Sequence, residues 1–321
     1  MPFRGSETTV KLRLPPLLIH AVVLGALAGC QIVPPATSPR PVPRPDLVRP
    51  APSPESEAIA RHFARVEADL LSRGLLRTDA TAPDAPFSRR AVVENFVRIA
   101  LYDEYVTRAG ALVPRETPSR LRRWEQPIGL GLVFGETVPE AQRTRDRAEI
   151  DAYARRLSGL TGLTIRQIEP EQANFHVLIL NEDERRSIGP RLRAMVPGID
   201  ATAIRTIEGM PRSTFCLVLA FSSGESSVYS HAVAVIRGEH PDRLRRSCIH
   251  EELAQGLGLA NDSPAARPSI FNDDEEFALL TPHDELLLRI LYDRRLRPGM
   301  REPEARPIIE TIATELMGGE S

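Results

Sequence analysis

The distribution of proline decides where this chain can fold. Nine of its 29 prolines fall within residues 31–54, QIVPPATSPRPVPRPDLVRPAPSP, a stretch with almost no large apolar side chains. Proline fixes φ and removes a backbone donor, so such a stretch builds neither helix nor sheet and has nothing to bury. It predicts an extended, polyproline-like tether whose role is reach. The folded body is thereby confined to residues 55–321. That length suits one large or two modest domains, and a chain that is 42% hydrophobic can fill a core.

Ahead of the tether stands an address. Arg4, Lys11 and Arg13 precede an apolar run from Leu17 to Ala28, followed by Gly29 and Cys30. About a dozen apolar residues make a secretory signal and fall short of the roughly 20 that span a bilayer. Leu27-Ala28-Gly29-Cys30 resembles the processing box of bacterial lipoproteins. The resemblance implies cleavage before Cys30, acylation of Cys30 as the new N-terminus, and the membrane as a partner held through those acyl chains. Gln31, rather than an aspartate, fits outer-membrane sorting, so the implied location is the periplasmic side of the envelope.

Charge excludes one large class of partner. The chain carries 41 Lys+Arg against 43 Asp+Glu; Lys11 is the only lysine, and the arginines are scattered among acids rather than gathered in a stripe. No nucleic-acid partner is expected. Removal of residues 1–29 takes away a net +2 and leaves the mature body at −4, without a basic patch for lipid. Phosphate-binding Walker loops, G-x-S-x-G elbows and dinucleotide fingerprints are absent, and the glycines at 129, 131 and 135 have the wrong spacing.

After Cys30 the sequence holds two further cysteines, Cys216 and Cys248. In an oxidising compartment two such thiols predict a disulfide, worth about 3–4 kcal/mol by loop entropy. Cys248 as a nucleophile with His250 as its base is disfavoured, because positions i and i+2 of a helix point to different faces.

The body reads as helices followed by a mixed sheet. Helices are predicted around residues 56–71 and 88–105. Apolar runs at 128–134, 164–168, 175–180, 216–221 and 231–236 predict strands. Thr137 and Glu140 form a capping-box pattern ahead of a helix carrying Ile150, Tyr153, Ala154 and Leu157 and stopping near Gly159. A further helix over 242–257 ends at Gly258. The expected fold class is α+β, divided as leader 1–29, tether 30–54, helical segment 55–121, main domain 122–300 and tail 301–321.

One segment carries chemistry. His250-Glu251 opens like the zinc motif H-E-x-x-H, but Ala254 stands where the second histidine belongs. One residue on, Glu251-Glu252-x-x-Gln255-x-x-Gly258-x-x-Asn261-Asp262 resembles the metzincin pattern H-E-x-x-H-x-x-G-x-x-H. Pro268-Ser269-Ile270-Phe271-Asn272 is similar to the Met-turn of that family, and Leu280 to Tyr292 resembles the C-terminal helix of matrixin-type enzymes, with Thr281 as cap. The resemblance covers roughly residues 122–296 and implies a zincin-like mixed sheet with an active-site-type helix. The whole chain further resembles a family of bacterial lipoproteins of unassigned function.

In that register Glu252 is the general base, while Glu251, Gln255 and Asn261 replace the three zinc histidines. Carboxamides are poor, neutral donors for zinc, and without the metal Glu252 has no activated water to deprotonate. No cofactor is therefore expected. Two rescues stay open: approach of His231, His250, His283 or Asp262, and calcium on Glu251, Asp262, Asp273 and Asp274. Three functions follow. The first is a non-catalytic binding or scaffold protein of the envelope, taking a peptide against an edge strand such as 231–236. The second is a metal-dependent peptidase or amidase using Glu252, and the third a structural lipoprotein acting through residues 55–112.

Overall fold

The computed structural model describes residues 50–79, 82–108, 111–272 and 274–318. The leader, Cys30 and the tether as far as residue 49 lie outside the described residues. No described helix is long and apolar enough to cross a membrane.

The elements run in the order α1 (Pro54–Ser72), α2 (Arg89–Ala100), β1 (Tyr102–Arg108), β2 (Ala111–Pro118), β3 (Ile128–Phe134), α3 (Glu140–Thr161), β4 (Ile165–Ile168), β5 (Phe175–Leu180), α4 (Glu182–Arg186), α5 (Gly189–Met195), α6 (Ala201–Glu208), β6 (Cys216–Ser222), β7 (Tyr229–Arg237), α7 (Asp242–Gln255), α8 (Pro282–Leu291) and α9 (Glu302–Met317). The fold class is α+β.

Five strands form one sheet in the order β4-β3-β5-β7-β6. The first four run parallel, and β6 joins antiparallel at the edge. This order corrects one expectation: residues 231–236 lie inside the sheet between β5 and β6, so the edge strands are β4 and β6. β1 and β2 make a separate two-stranded hairpin.

Both faces of the sheet are covered, which is why β5, FHVLIL, is buried at every position. On one face Ile128, Leu130, Phe175, Val177, Ala232 and Ala234 share a core with α2, α3, α7, α8 and α9. On the other, Val133, Leu178, Val233 and Val235 pack against Ile188, Leu192, Ile204 and Ile207 around α5 and α6. β6 alternates accordingly: Cys216, Val218 and Ala220 turn to the first face, Leu217, Leu219 and Phe221 to the second. A third cluster docks α1 through Ile59, Phe63 and Leu70 against Leu76, Leu244 and Ala278.

Local signals resolve as follows. Ile150, Tyr153, Ala154 and Leu157 of α3 are all buried. Thr137, however, does not cap α3; its N–H and hydroxyl both donate to Glu184 Oε1 at 2.7 Å. The helix passes Gly159 and stops at Gly162, whose φ of 73° is the left-handed C-cap. α2 ends at Ala100, five residues before the predicted end, and gives way to β1. Thr281 caps α8 with Asp284 in a reciprocal box. Residues 301–321, set apart as a tail, carry α9, which buries Ala305, Ile309, Ile312 and Ala313.

Candidate functional site

The edge strand β6 and helix α7 border a cleft of about 730 Å³. Its lining takes Cys216, Val218 and Ala220 from β6, Glu251, Glu252 and Gln255 from α7, Asp262 from the following loop, and Asp103, Arg122 and Tyr229 from the far side. Leu70 of α1 and Glu275 close the remaining walls. Glu251 and Glu252 bring their carboxylates within 4.8 Å of one another and of the Cys216 sulfur.

Covalent and backbone constraints hold this arrangement. Cys216 and Cys248 are joined by a disulfide, with Cα atoms 5.9 Å apart, so the first residue of β6 is tied to α7 one turn before Glu252. Glu251 Oε2 lies 4.0 Å from the Cys216 sulfur, which has no proton to donate once it is in the bridge. Where α7 ends, Trp124 Nε1 donates to the Gly256 carbonyl at 2.9 Å and the Tyr292 hydroxyl donates to that of Leu257 at 2.8 Å. Gly258 is not the cap of α7, which ends at Gln255; its φ is 125°, and a Cβ there would stand 2.2 Å from the Arg122 carbonyl oxygen. Only glycine lets the chain turn there.

The residues singled out by sequence divide sharply. Glu251, Glu252, Gln255 and Asp262 meet in the cleft, and Gln255 Nε2 donates to Asp262 Oδ1 at 3.1 Å. Asn261 turns the other way and donates to the Arg98 carbonyl at 3.0 Å, tying the loop to α2. Ser269, Phe271 and Asn272 form a turn clipped beneath α8. Ser269 Oγ donates to Asp284 Oδ1 at 2.5 Å, Asn272 Nδ2 donates to the Ala266 carbonyl, and Phe271 is buried in the main core. None of the three lines the cleft. Asp274 is exposed and accepts from the Glu276 N–H, while Asp273 lies outside the described residues.

No histidine rescues a zinc set among the described residues. His250 faces α3, where it stacks on Tyr153 at 3.9 Å. Its Nδ1 accepts from the Leu280 N–H at 3.2 Å, so Nε2 carries the proton and donates to Glu149 Oε1 at 3.1 Å. Burial lowers the His250 pKa, and the bond from His250, with Arg246 beside it, holds Glu149 at about 2. His283 is enclosed against Asn95, and His231 sits beside Ser230. The cleft therefore offers carboxylates and one carboxamide, a set that does not fit zinc, which favours nitrogen and sulfur. Sequence reasoning missed Arg122, Asp103 and Tyr229. Arg122 donates to Asp103 Oδ1 at 2.6 Å, and burial, set against the nearby Arg122 charge, raises the Tyr229 phenol to about 12.

A family model described as "Protein of unknown function (DUF2927)" matches residues 89–311. The chain belongs to this family. The DUF2927 match begins at the first residue of α2 and takes in every cleft residue named above except Leu70; α1 lies outside it. No curated protein matches the chain.

Proposed function

We propose that this DUF2927 chain is a lipid-anchored protein of the cell envelope, on the periplasmic side of the outer membrane, whose zincin-like cleft binds an extended peptide without cleaving it. The observation that carries the reading is the position of β6. Among the described strands it pairs with β7 alone, and its other side borders the cleft. Such an edge offers backbone N–H and C=O groups to an incoming strand, which supplies affinity, while the walls supply selectivity. Seven residues of β6 give a docking length of about 23 Å. The donor set of Glu251, Glu252, Gln255 and Asp262 supports binding over zinc-assisted hydrolysis, because it contains no imidazole. The leader, its processing box at Cys30 and the proline-rich tether support the anchored location.

The test presents the full chain to an array of octapeptides and then follows amide exchange with a bound peptide in excess. Slowed exchange over Leu217–Phe221, with the peptide recovered intact by mass spectrometry, is the expected result. Cleaved peptide would assign hydrolysis to Glu252, and a metal measurement would follow. Protection confined to α1 and α2 would move function to the N-terminal helices.

A further inference from the structure

Helix α1 touches both walls of the cleft. Phe63 packs edge-on against Phe215, the residue before β6, with ring centroids 5.8 Å apart, and against His240, just ahead of α7, at 4.4 Å. Leu70, near the end of α1, belongs to the cleft lining. At the start of α7 the cap position is Pro241, whose side chain has no acceptor, and the Leu244 N–H donates instead to Glu67 Oε2 of α1 at 2.8 Å. The first N–H groups of a helix need such a partner, so α1 completes the end of the helix that carries Glu251, Glu252 and Gln255.

The seat of α1 is imperfectly matched. Ser56 Oγ donates to Glu239 Oε1 at 2.6 Å, but Glu239 Oε2 and His240 Nε2 are buried with no hydrogen-bond partner among the described residues. Ser56 and Phe63 lie over these two side chains, so lifting α1 lets water reach them and recovers part of what docking costs. The apolar part of the seat is a small cluster of its own, Ile59, Phe63 and Leu70 with Leu76, Leu244 and Ala278. Beyond α1 the chain turns at Gly74, whose φ is 76° and whose missing Cβ would meet no atom beyond its chain neighbours within 4 Å. Just past it the chain is pinned, because the N–H groups of Leu76 and Arg77 donate to the carbonyls of Glu275 and Glu276 at 2.8 Å. A helix joined through glycine to a fixed segment has the form of a hinge.

We infer that α1 is a hinged clasp on the cleft. It swings about Gly74 as a unit while the sheet stays folded, which frees the start of α7 and takes Leu70 out of the cleft wall. Granted the peptide reading of the cleft, on which this second step rests, a segment longer than β6 enters through that opening.

Amide exchange on the full chain, read by mass spectrometry, tests the hinge. The amides of α1 and of Leu244 are expected to exchange together, at least about tenfold faster than those of β5. Phe63→Ala, which removes the wedge, should quicken both by about tenfold more and leave β3 and β5 unchanged. Gly74→Ala meets no clash and only disfavours the φ of the closed joint; it should act in the same direction to a smaller degree, and it serves if the first variant does not fold. Exchange of α1 no faster than that of β5, or equal quickening of all these segments, overturns the hinge and makes α1 a fixed part of the body. Stopped-flow fluorescence with labelled peptides of alternating threonine and valine tests the gate. A dodecapeptide should associate at least about threefold faster with Phe63→Ala than with the parent, whereas a hexapeptide, which fits within the seven residues of β6, should not. Unchanged association of the dodecapeptide, with α1 shown to open, overturns the gate and leaves the peptide site standing. Binding of neither peptide, to parent or variant, overturns the peptide reading and the gate with it.

Discussion

Adjacent residues of α7 look into two unlike surroundings. His250 enters the junction with α3 and α8, where both ring nitrogens are bonded and the ring is stacked. Glu251 enters the cleft, where carboxylates gather beside an open strand edge. The junction is a place where polar groups have been matched to one another. Arg245 there donates to both oxygens of Asp146 at 2.8 and 2.9 Å and to the His240 carbonyl at 2.6 Å, all within a nearly dry environment. The cleft instead sets several carboxylates along a solvent-reached wall, with Arg122 bonded to Asp103 opposite them. The contrast teaches that a histidine beside a glutamate is not evidence of a metal site, since one step along a helix turns a side chain by about 100° and can deliver it to another face.

The largest expected effect breaks the junction. Asp146→Ala leaves the buried Arg245 charge without its main partner and should cost about 3–5 kcal/mol in chemical denaturation. A cost below about 1 kcal/mol would mean that Asp146 is not the group that holds Arg245 in the junction.

Next comes the link between the two regions. Cys216→Ser/Cys248→Ser should lower stability by about 2–5 kcal/mol. Amide exchange of the variant should quicken on β6 more than on β5; equal quickening would show that the bridge does not single out the cleft wall.

A smaller effect is pH-dependent. Burial lowers the pKa of His250 below its ordinary value, so the unfolded state binds the extra proton first. Stability from this group is complete above about pH 6.5 and declines as pH falls through that value, by up to about 1.4 kcal/mol per pH unit per group. His240, pushed down by its own burial, has the same sign. Glu149 acts lower, where stability is lost as pH drops from the ordinary carboxylate range towards about 2. Urea titrations of His250→Gln between pH 7 and 5 should show a shallower slope than the parent; identical slopes would remove His250 from the account.

The smallest effect belongs to the cleft. Glu251→Gln should shift stability by no more than about 0.5 kcal/mol in either direction. A thermal melt showing a large loss would make Glu251 part of the structural framework and erase the contrast with His250.

Much of the sheet could be read directly because its central strands are uninterrupted apolar runs. β3 and β5 have the predicted limits, Ile128–Phe134 and Phe175–Leu180. Their order could not be read, because β6 and β7 carry similar runs and pairing between distant strands leaves no local trace. The hairpin β1–β2 was hidden by an α2 pattern that carries smoothly to Tyr105. In α9, Pro303 and Pro307 interrupt a segment whose apolar side chains nonetheless fall on one face. The short α4, α5 and α6 offer too few turns to show a period.

Within the site, spacing worked as long as the backbone was helical. Glu251, Glu252 and Gln255 were placed correctly on one element, and the register failed beyond Gly258. There φ is positive and side-chain direction no longer follows from residue number, so Asp262 takes the place in the cleft expected of Asn261.

The bridge between Cys216 and Cys248 encloses all of β6 and β7 within one covalent ring. The turn at residues 223–226 is the longest exposed stretch of that ring. A peptide bond cut there changes the number of chains but not the number of molecules: both fragments stay fastened across the cleft. On a gel the nicked protein runs as one band until thiol is added and as two afterwards. A protease that reaches the exposed turn beside the edge strand can thus sever it while the walls of the cleft remain attached to each other.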